Sequence, residues 1–316
     1  MNIQTLTLIA AGVSFVITVI LSLCIIPYLR KLKVGQVVRS DGPESHLKKA
    51  GTPTMGGIMM LIAIILILAI SSFKYPVLVL PIILIAGFGI VGFIDDRKKL
   101  VEHSSDGISA KMKMFLLFLF STMFLVGYML TCNWGTGTGI PFLDTTGIFV
   151  VFTMLVMLGT SNAINLTDGL DGLASGVSAI IMTFFTAVAI KRGDTAMIIL
   201  GAATVGSTVG FLIFNVKPAK VFMGDTGSLA LGAAIASIAI LMKMPLYLLI
   251  VALIPVVETL SVVLQVVYFK LTKGKRLLKM APLHHHLELS GLKETSVVML
   301  FWGLTAVLCL IGYYIV

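Results

Sequence analysis

The sequence predicts an all-α polytopic membrane protein, one bundle of about ten transmembrane helices. Three observations carry that prediction. Of the 316 residues, 58% are hydrophobic and only 12% charged, about half the charge of a soluble domain. The mean hydropathy is +1.07. The apolar residues also fall in long continuous runs, unlike the short alternating segments of a membrane barrel. Little chain is left for a soluble domain, so residues 1–316 read as a single integral-membrane domain without a linker.

The elements follow in order. The first run, 6–29, has no basic segment before it and no small-residue cleavage site after it. It is too long for a signal-peptide core and is expected to remain as a span, kinked at Pro27. Runs at 55–72 and 76–94 come next, the latter ending at a pair of aspartates. The run at 112–131 is separated from 147–164 by a Gly/Thr-rich segment whose one acid, Asp144, reads as structural. Runs at 173–190 and 195–214 precede Pro218, which stops the seventh span. The eighth run covers 227–242, and the ninth, 245–269, contains Pro255 and Glu258. A tenth run, 296–316, carries Trp302 as an interfacial aromatic. Cys24, Cys132 and Cys309 have no metal-ligand spacing and read as small packing residues.

Charge then orients the bundle. If the runs alternate across the membrane, all of the 23 lysines and arginines except Lys74, Lys191, Arg192 and Lys243 emerge on one side. By the positive-inside rule that side is cytoplasmic and both termini lie outside. The net charge of +9 is thereby explained without nucleic acid. No basic stretch with interleaved aromatics is present, so nucleic-acid binding is excluded.

Eight of the 14 acidic residues lie in or beside four motifs on that same side, Glu102 and Asp106 being the two that adjoin the first. Asp-Asp-Arg-Lys-Lys at 95–99 places two carboxylates together, either as a charged helix end or as hard oxygen ligands for Mg²⁺. Asn-Leu-Thr-Asp-Gly-Leu-Asp-Gly-Leu at 165–173 puts Asp168 and Asp171 on one face if it is helical, with Gly169 and Gly172 allowing close approach of a ligand. The competing reading is a turn before a span. Phe-Met-Gly-Asp-Thr-Gly-Ser at 222–228 sets Asp225 between glycines and hydroxyls, which suits a metal, a phosphate or a simple helix cap. The histidines at 284–286 are about 100° apart on a helix and so do not converge on one zinc ion. Donation to phosphate or ribose oxygens, with Lys279 nearby, fits them better. Glu258 alone lies inside an apolar run, and no role is assigned to it.

With these motifs in hand, the chain resembles the polyprenyl-phosphate N-acetylhexosamine-1-phosphate transferases almost end to end. The resemblance rests on Gly-Thr-Pro-Thr-Met-Gly-Gly at 51–57, the Asp95–Asp96 pair, the 165–173 segment, the run from Asn215 to Asp225 and Pro-Leu-His-His-His-Leu-Glu from 282. Leu287 departs from the aromatic residue of many relatives. The first and last motifs favour the branch handling N-acetylmuramoyl-pentapeptide over enzymes loading N-acetylglucosamine phosphate.

That resemblance implies a bacterial plasma-membrane enzyme with a cytoplasmic site, transferring phospho-N-acetylmuramoyl-pentapeptide from UDP-MurNAc-pentapeptide to undecaprenyl phosphate and releasing UMP. It implies Mg²⁺ at Asp225, and Asp95 and Asp96 at the catalytic centre with Asp95 as base toward the lipid phosphate. Lys99 and Lys111 would contact phosphates, and Asn165 and Asp168 would complete the centre. Gly169, Leu170, Asp171 and Phe222 would form a uracil pocket, helped by Lys48 or Lys49. Asn215, His284, His285 and His286 would line the rest of the catalytic cleft. A homodimer is also implied. Two rival readings are a sibling transferase using UDP-N-acetylglucosamine and an ion-coupled transporter. The transporter is disfavoured because the acids sit at helix ends and no internal repeat is evident.

Overall fold

The computed structural model of the chain describes residues 2–31, 51–102, 106–131, 138 and 142–316. These form α1 (Ile3–Lys31), α2 (Gly57–Ser72), α3 (Val79–Val101), α4 (Ala110–Thr131), α5 (Thr146–Thr167), α6 (Leu173–Arg192), α7 (Thr195–Asn215), α8 (Gly224–Leu241), α9 (Leu253–Leu271), α10 (Leu283–Leu289) and α11 (Glu294–Ile315). Among the described residues nine helices are long and apolar enough to cross a membrane, and α2 is a shorter apolar helix of 16 residues. The all-α polytopic architecture is therefore the observed one.

Helix ends differ from the apolar runs where polar residues extend a helix. α3 runs on to Val101, so Asp95 and Asp96 sit in its last turns and not in a loop. α8 begins at Gly224, three residues before its apolar run, which puts Asp225 in its first turn. The ninth run is broken: a 3₁₀ turn at Pro245–Tyr247 and one helical turn at Leu248–Val251 precede a kink at Ala252. The 168–172 stretch is a turn, not a helix. Asp168 caps the end of α5, and Gly172 takes φ +79° to start α6 in a new direction.

α8 is the axis of the bundle, its span 83% buried, whereas α1 and α9 are only 28% and 22% buried and turn apolar faces such as Leu8, Val16, Leu260 and Leu264 outward. Water cannot drive helices together in lipid, so contact depends on small residues that let backbones approach. α8 is rich in Gly and Ala for this reason. Gly227 meets Gly57 of α2, Gly232 meets Ser161 of α5, and the Asp225 carbonyl lies on Gly92 of α3. α1 and α7 run parallel by the same means. Gly206 and Gly210 take the carbonyls of Ala11 and Phe15, while Ser14 donates to the Ala203 carbonyl (2.7 Å) and Thr18 pairs with Ser207 (2.9 Å).

Cys309 is buried as a packing residue, but Cys24 is exposed on the outward face of α1, and Cys132 lies outside the described residues. Asp144 accepts from the backbone N–H and hydroxyl of Thr138 at 2.6 and 2.9 Å, as a turn-building acid does.

Gly206→Leu drives a side chain into the Ala11 carbonyl, far from the polar helix ends. It is expected to destabilise the protein by about 1–3 kcal/mol through overpacking. A thermal-unfolding series in detergent checks this, and an unchanged melting temperature would show that α1 and α7 do not depend on the contact.

Candidate active site

The site is assembled around the first turn of α8. Four backbone N–H groups at a helix start lack partners, and the residue before α8, Met223, has no side-chain cap to offer. Asp96 supplies the cap from α3. Its Oδ1 accepts from the Asp225 N–H at 3.0 Å, and its Oδ2 accepts from the Thr226 N–H at 2.9 Å and the Thr226 hydroxyl at 2.7 Å. Gly224, at φ +72°, is required beside it because a Cβ there would strike Asp96 Oδ2. The choice between cap and ligand site thus divides between residues: Asp96 caps, and Asp225 is turned toward the polar cluster.

Asp225 is held from three sides. Lys99 Nζ lies 3.1 Å and Lys113 Nζ 2.8 Å from its Oδ2, and Asn165 Nδ2 donates to its Oδ1 at 2.9 Å. Asn165 also donates to Ser228 Oγ at 2.9 Å, which ties the end of α5 to α8. Lys99 reaches Asp95 Oδ2 at 2.7 Å, one helical turn earlier on α3. Asp95 Oδ1 accepts from the Ile108 N–H at 3.0 Å, pulling in the segment that leads to α4. Its carboxylate lies over Gly107, where a Cβ has no room.

Asp95, Asp96 and Asp225 each bring an oxygen within 4.8 Å of one another. Three carboxylates face two ammonium groups, Lys99 and Lys113, so the cluster retains a surplus of negative charge. Hard oxygens with such a surplus fit a divalent cation of the Mg²⁺ type, which commonly keeps most of its waters and takes one or two carboxylates. Asp225 and Asp95 are the better placed, since their Oδ2 atoms face the ammonium groups of Lys99 and Lys113, whereas both oxygens of Asp96 are taken by the backbone and hydroxyl of the α8 start.

A second polar group adjoins the first through the 168–172 turn. Glu258 of α9 accepts from the His284 N–H at 3.1 Å with Oε1 and meets His284 Nδ1 at 3.0 Å with Oε2. The other edge of that imidazole rests on Gly169. Asp171 is braced twice: its N–H donates to Glu294 Oε1 at 3.0 Å, and its Oδ2 accepts from the Ala219 N–H at 3.1 Å. Lys217 closes the circuit on Glu294 Oε2 at 2.7 Å. Leu170 is buried and Asp168 half-buried in the same turn.

Asn215 is buried, donating to the Val221 carbonyl and accepting from Ser175, so it shapes the 216–221 loop. Phe222 is half-buried, its backbone paired with Pro53 and Gly56, which straps the 51–57 motif onto the start of α8. The three histidines go to three partners: His284 to Glu258, His285 to Glu288, and His286 to the Lys279 N–H. Lys48 and Lys49 lie outside the described residues. Lys111 is exposed at the start of α4, and the lysine that reaches Asp225 is Lys113. The signal was available, because Lys113 continues the buried stripe Leu117, Ser121, Phe124 and Tyr128 of α4, whereas Lys111 falls off it. Glu258 likewise shares its stripe with buried Ile254 and Ser261.

Fold and polar cluster describe a membrane-embedded protein with a carboxylate–lysine site, and comparison with known proteins supplies its class: residues 77–243 match the model of glycosyl transferase family 4. Among similar curated proteins, the phospho-N-acetylmuramoyl-pentapeptide-transferase of Acetivibrio thermocellus is 50% identical over 95% of this chain and 92% of its own length. Those of Caldicellulosiruptor bescii and Bacillus cytotoxicus are 46% and 44% identical, covering 97% and 98% of the chain and 96% and 97% of the relatives. The chain belongs to the phospho-N-acetylmuramoyl-pentapeptide transferase family.

The two lysines of α4 separate in a mutational test. Lys113→Ala is expected to lower turnover by about 100-fold or more, the scale for removing one preorganised charge partner. Lys111→Ala is expected to cost far less. Steady-state rates of the two purified variants decide, and equal losses would contradict the assignment of Lys113 to the cluster chemistry.

Proposed function

We propose that the protein transfers phospho-N-acetylmuramoyl-pentapeptide from UDP-MurNAc-pentapeptide to undecaprenyl phosphate, releasing UMP and forming lipid I for peptidoglycan. Its place is the bacterial plasma membrane, with the α3, α4, α5 and α8 ends that bear the cluster facing the cytoplasm. The observation that supports this most is the carboxylate–lysine–asparagine cluster at the ends of four helices. It combines with near full-length similarity to enzymes of that name. The charge pattern of the loops supports the sidedness. A site at helix ends suits both partners, a nucleotide arriving from water and a phosphate on a lipid in the bilayer.

In this reading an oxygen of the lipid phosphate forms a bond to the sugar-linked phosphorus, and the bond from that phosphorus to the UMP oxygen breaks. One pyrophosphate replaces another, so the task is positioning and charge neutralisation more than energy supply. Asp95, held by Lys99 and the Ile108 N–H, takes any proton carried by the incoming phosphate. Lys99 and Lys113 offset charge on the pyrophosphate oxygens. Asn165 keeps Asp225 oriented through Oδ1. Mg²⁺, held by Asp225 with Asp95, would supply Lewis-acid neutralisation of phosphoryl oxygens. Gly169, Leu170, Asp171 and Phe222 form the uracil side, with Lys48 or Lys49, and His284, His285, His286, Asp168 and Asn215 complete the cleft. Direct attack is preferred over a covalent aspartyl intermediate because the lipid phosphate is already an anionic nucleophile. The active form is a homodimer.

With Mg²⁺ and lipid phosphate, purified protein is expected to exchange labelled UMP into UDP-MurNAc-pentapeptide, and not into UDP-N-acetylglucosamine. Asp225→Asn is expected to reduce exchange by about 100-fold or more, as for loss of a principal charge-stabilising group. Equal use of both nucleotide sugars would reassign the substrate, and full activity of Asp225→Asn would remove the metal role.

A further inference from the structure

The imidazole of His284 is 1% exposed, and its partner Glu258 is fully buried. Burying a glutamate within a membrane-spanning helix is costly, and such residues commonly serve a function. Glu258 gives both carboxylate oxygens to one residue, Oε1 to the His284 N–H and Oε2 to Nδ1. A carboxylate only accepts, so Nδ1 carries the ring proton. In the neutral ring that is the only proton, and Nε2 then presents a lone pair. Among the described residues Nε2 is buried without a hydrogen-bond partner. What covers it is Gly169, the residue of the 168–172 turn with no side chain to intervene.

A buried acceptor left without a donor carries an uncompensated desolvation penalty. An arrangement that orients a ring so firmly and leaves its far nitrogen unpartnered is the arrangement by which a carboxylate sets a histidine's tautomer. We infer that Glu258 is the positioning residue for His284, and that His284 Nε2 accepts a hydrogen bond from a donor on the nucleotide, a ribose hydroxyl or the uracil N3–H, beside the 168–172 turn. This rests on the nucleotide-sugar reading above. It also alters the expectation that the histidines donate to phosphate or ribose oxygens, because a bare Nε2 is repelled by an anionic oxygen and attracted by O–H or N–H.

The tautomer is measured first, independently of any substrate, by ¹⁵N NMR of histidine-labelled wild-type protein. A proton on Nδ1 of His284 and a bare Nε2 support the inference, and a proton on Nε2 overturns it. Glu258→Gln keeps the shape and the acceptor for the His284 N–H but offers Nδ1 an N–H₂ group. The proton is then expected to move to Nε2, and KM for UDP-MurNAc-pentapeptide to rise about tenfold or more, the scale of a buried polar group left unmatched. KM for the lipid should stay unchanged. An unaltered nucleotide-sugar KM with the tautomer reversed overturns the recognition role.

UMP, 2′-deoxy-UMP, 3′-deoxy-UMP and 3-methyl-UMP then locate the donor. One analogue should bind wild-type protein about tenfold more weakly than UMP, a penalty lost in Glu258→Gln. Equal binding of all four overturns the inference. If Glu258→Gln does not fold, the wild-type Nε2 resonance decides, since it must shift on addition of UMP and one analogue must fail to shift it. Wild-type protein that binds UMP but fails to turn over UDP-MurNAc-pentapeptide would sink the proposed function while leaving the tautomer and binding results standing.

Discussion

The Asp96 carboxylate on the first turn of α8 is the contact from which the rest of the site is built. Among the described spans α8 is the most enclosed, and the N–H groups of Asp225 and Thr226 in its first turn are partly or wholly buried. Capping a helix start is ordinarily worth about 0.5–2 kcal/mol. Here the cap comes from a different helix, so it also fixes the ends of α3 and α8 against each other. Asp225, Thr226 and Ser228 then inherit their positions from that junction, and Asn165, Lys99 and Lys113 can reach them.

The same device recurs at the other polar joints. Asp95 accepts the Ile108 N–H, Asp171 the Ala219 N–H, Glu294 the Asp171 N–H and Glu258 the His284 N–H. In each case a carboxylate on one element satisfies backbone at the edge of another. Irregular backbone near a bilayer must find partners inside the protein, and carboxylates provide two acceptors each. Their chemical roles are therefore inseparable from their structural ones. Asp95 and Asp225 retain oxygens facing lysines, and those two form the reactive side of the cluster, whereas Asp96 is largely consumed by its cap.

Much of this was legible in the chain. Continuous apolar runs placed the helices, because lipid tolerates no other open backbone arrangement, and the motifs at 95–99, 165–173 and 222–228 marked the ends that meet. Helix limits were less legible. A run of apolar residues ends where charge begins, but α3 continues through Asp95, Asp96 and Lys99 because those side chains find partners across the site. Of the two α4 lysines only Lys113 continues the buried stripe through Leu117, Ser121, Phe124 and Tyr128, and the sequence blurs that stripe because Met112, Met114, Phe115 and Phe118 make the outer faces of α4 apolar as well. Glu258 stood out as a misplaced acid, yet its partner lies on α10, beyond a basic loop of unpredictable path.

By itself the sequence determined the all-α membrane architecture, the order of its spans, the family it resembles and the segments that carry polar chemistry. These follow from local properties, hydropathy over about 20 residues and residue types within short motifs. Only the tertiary structure decided which carboxylate caps, which one is gripped by two lysines, and which histidine keeps an open nitrogen. Those distinctions depend on the relative depth and rotation of packed helices, which small residues such as Gly57, Gly92 and Gly227 set through backbone contact. No local pattern encodes that register, because it is the common solution of many helix contacts at once.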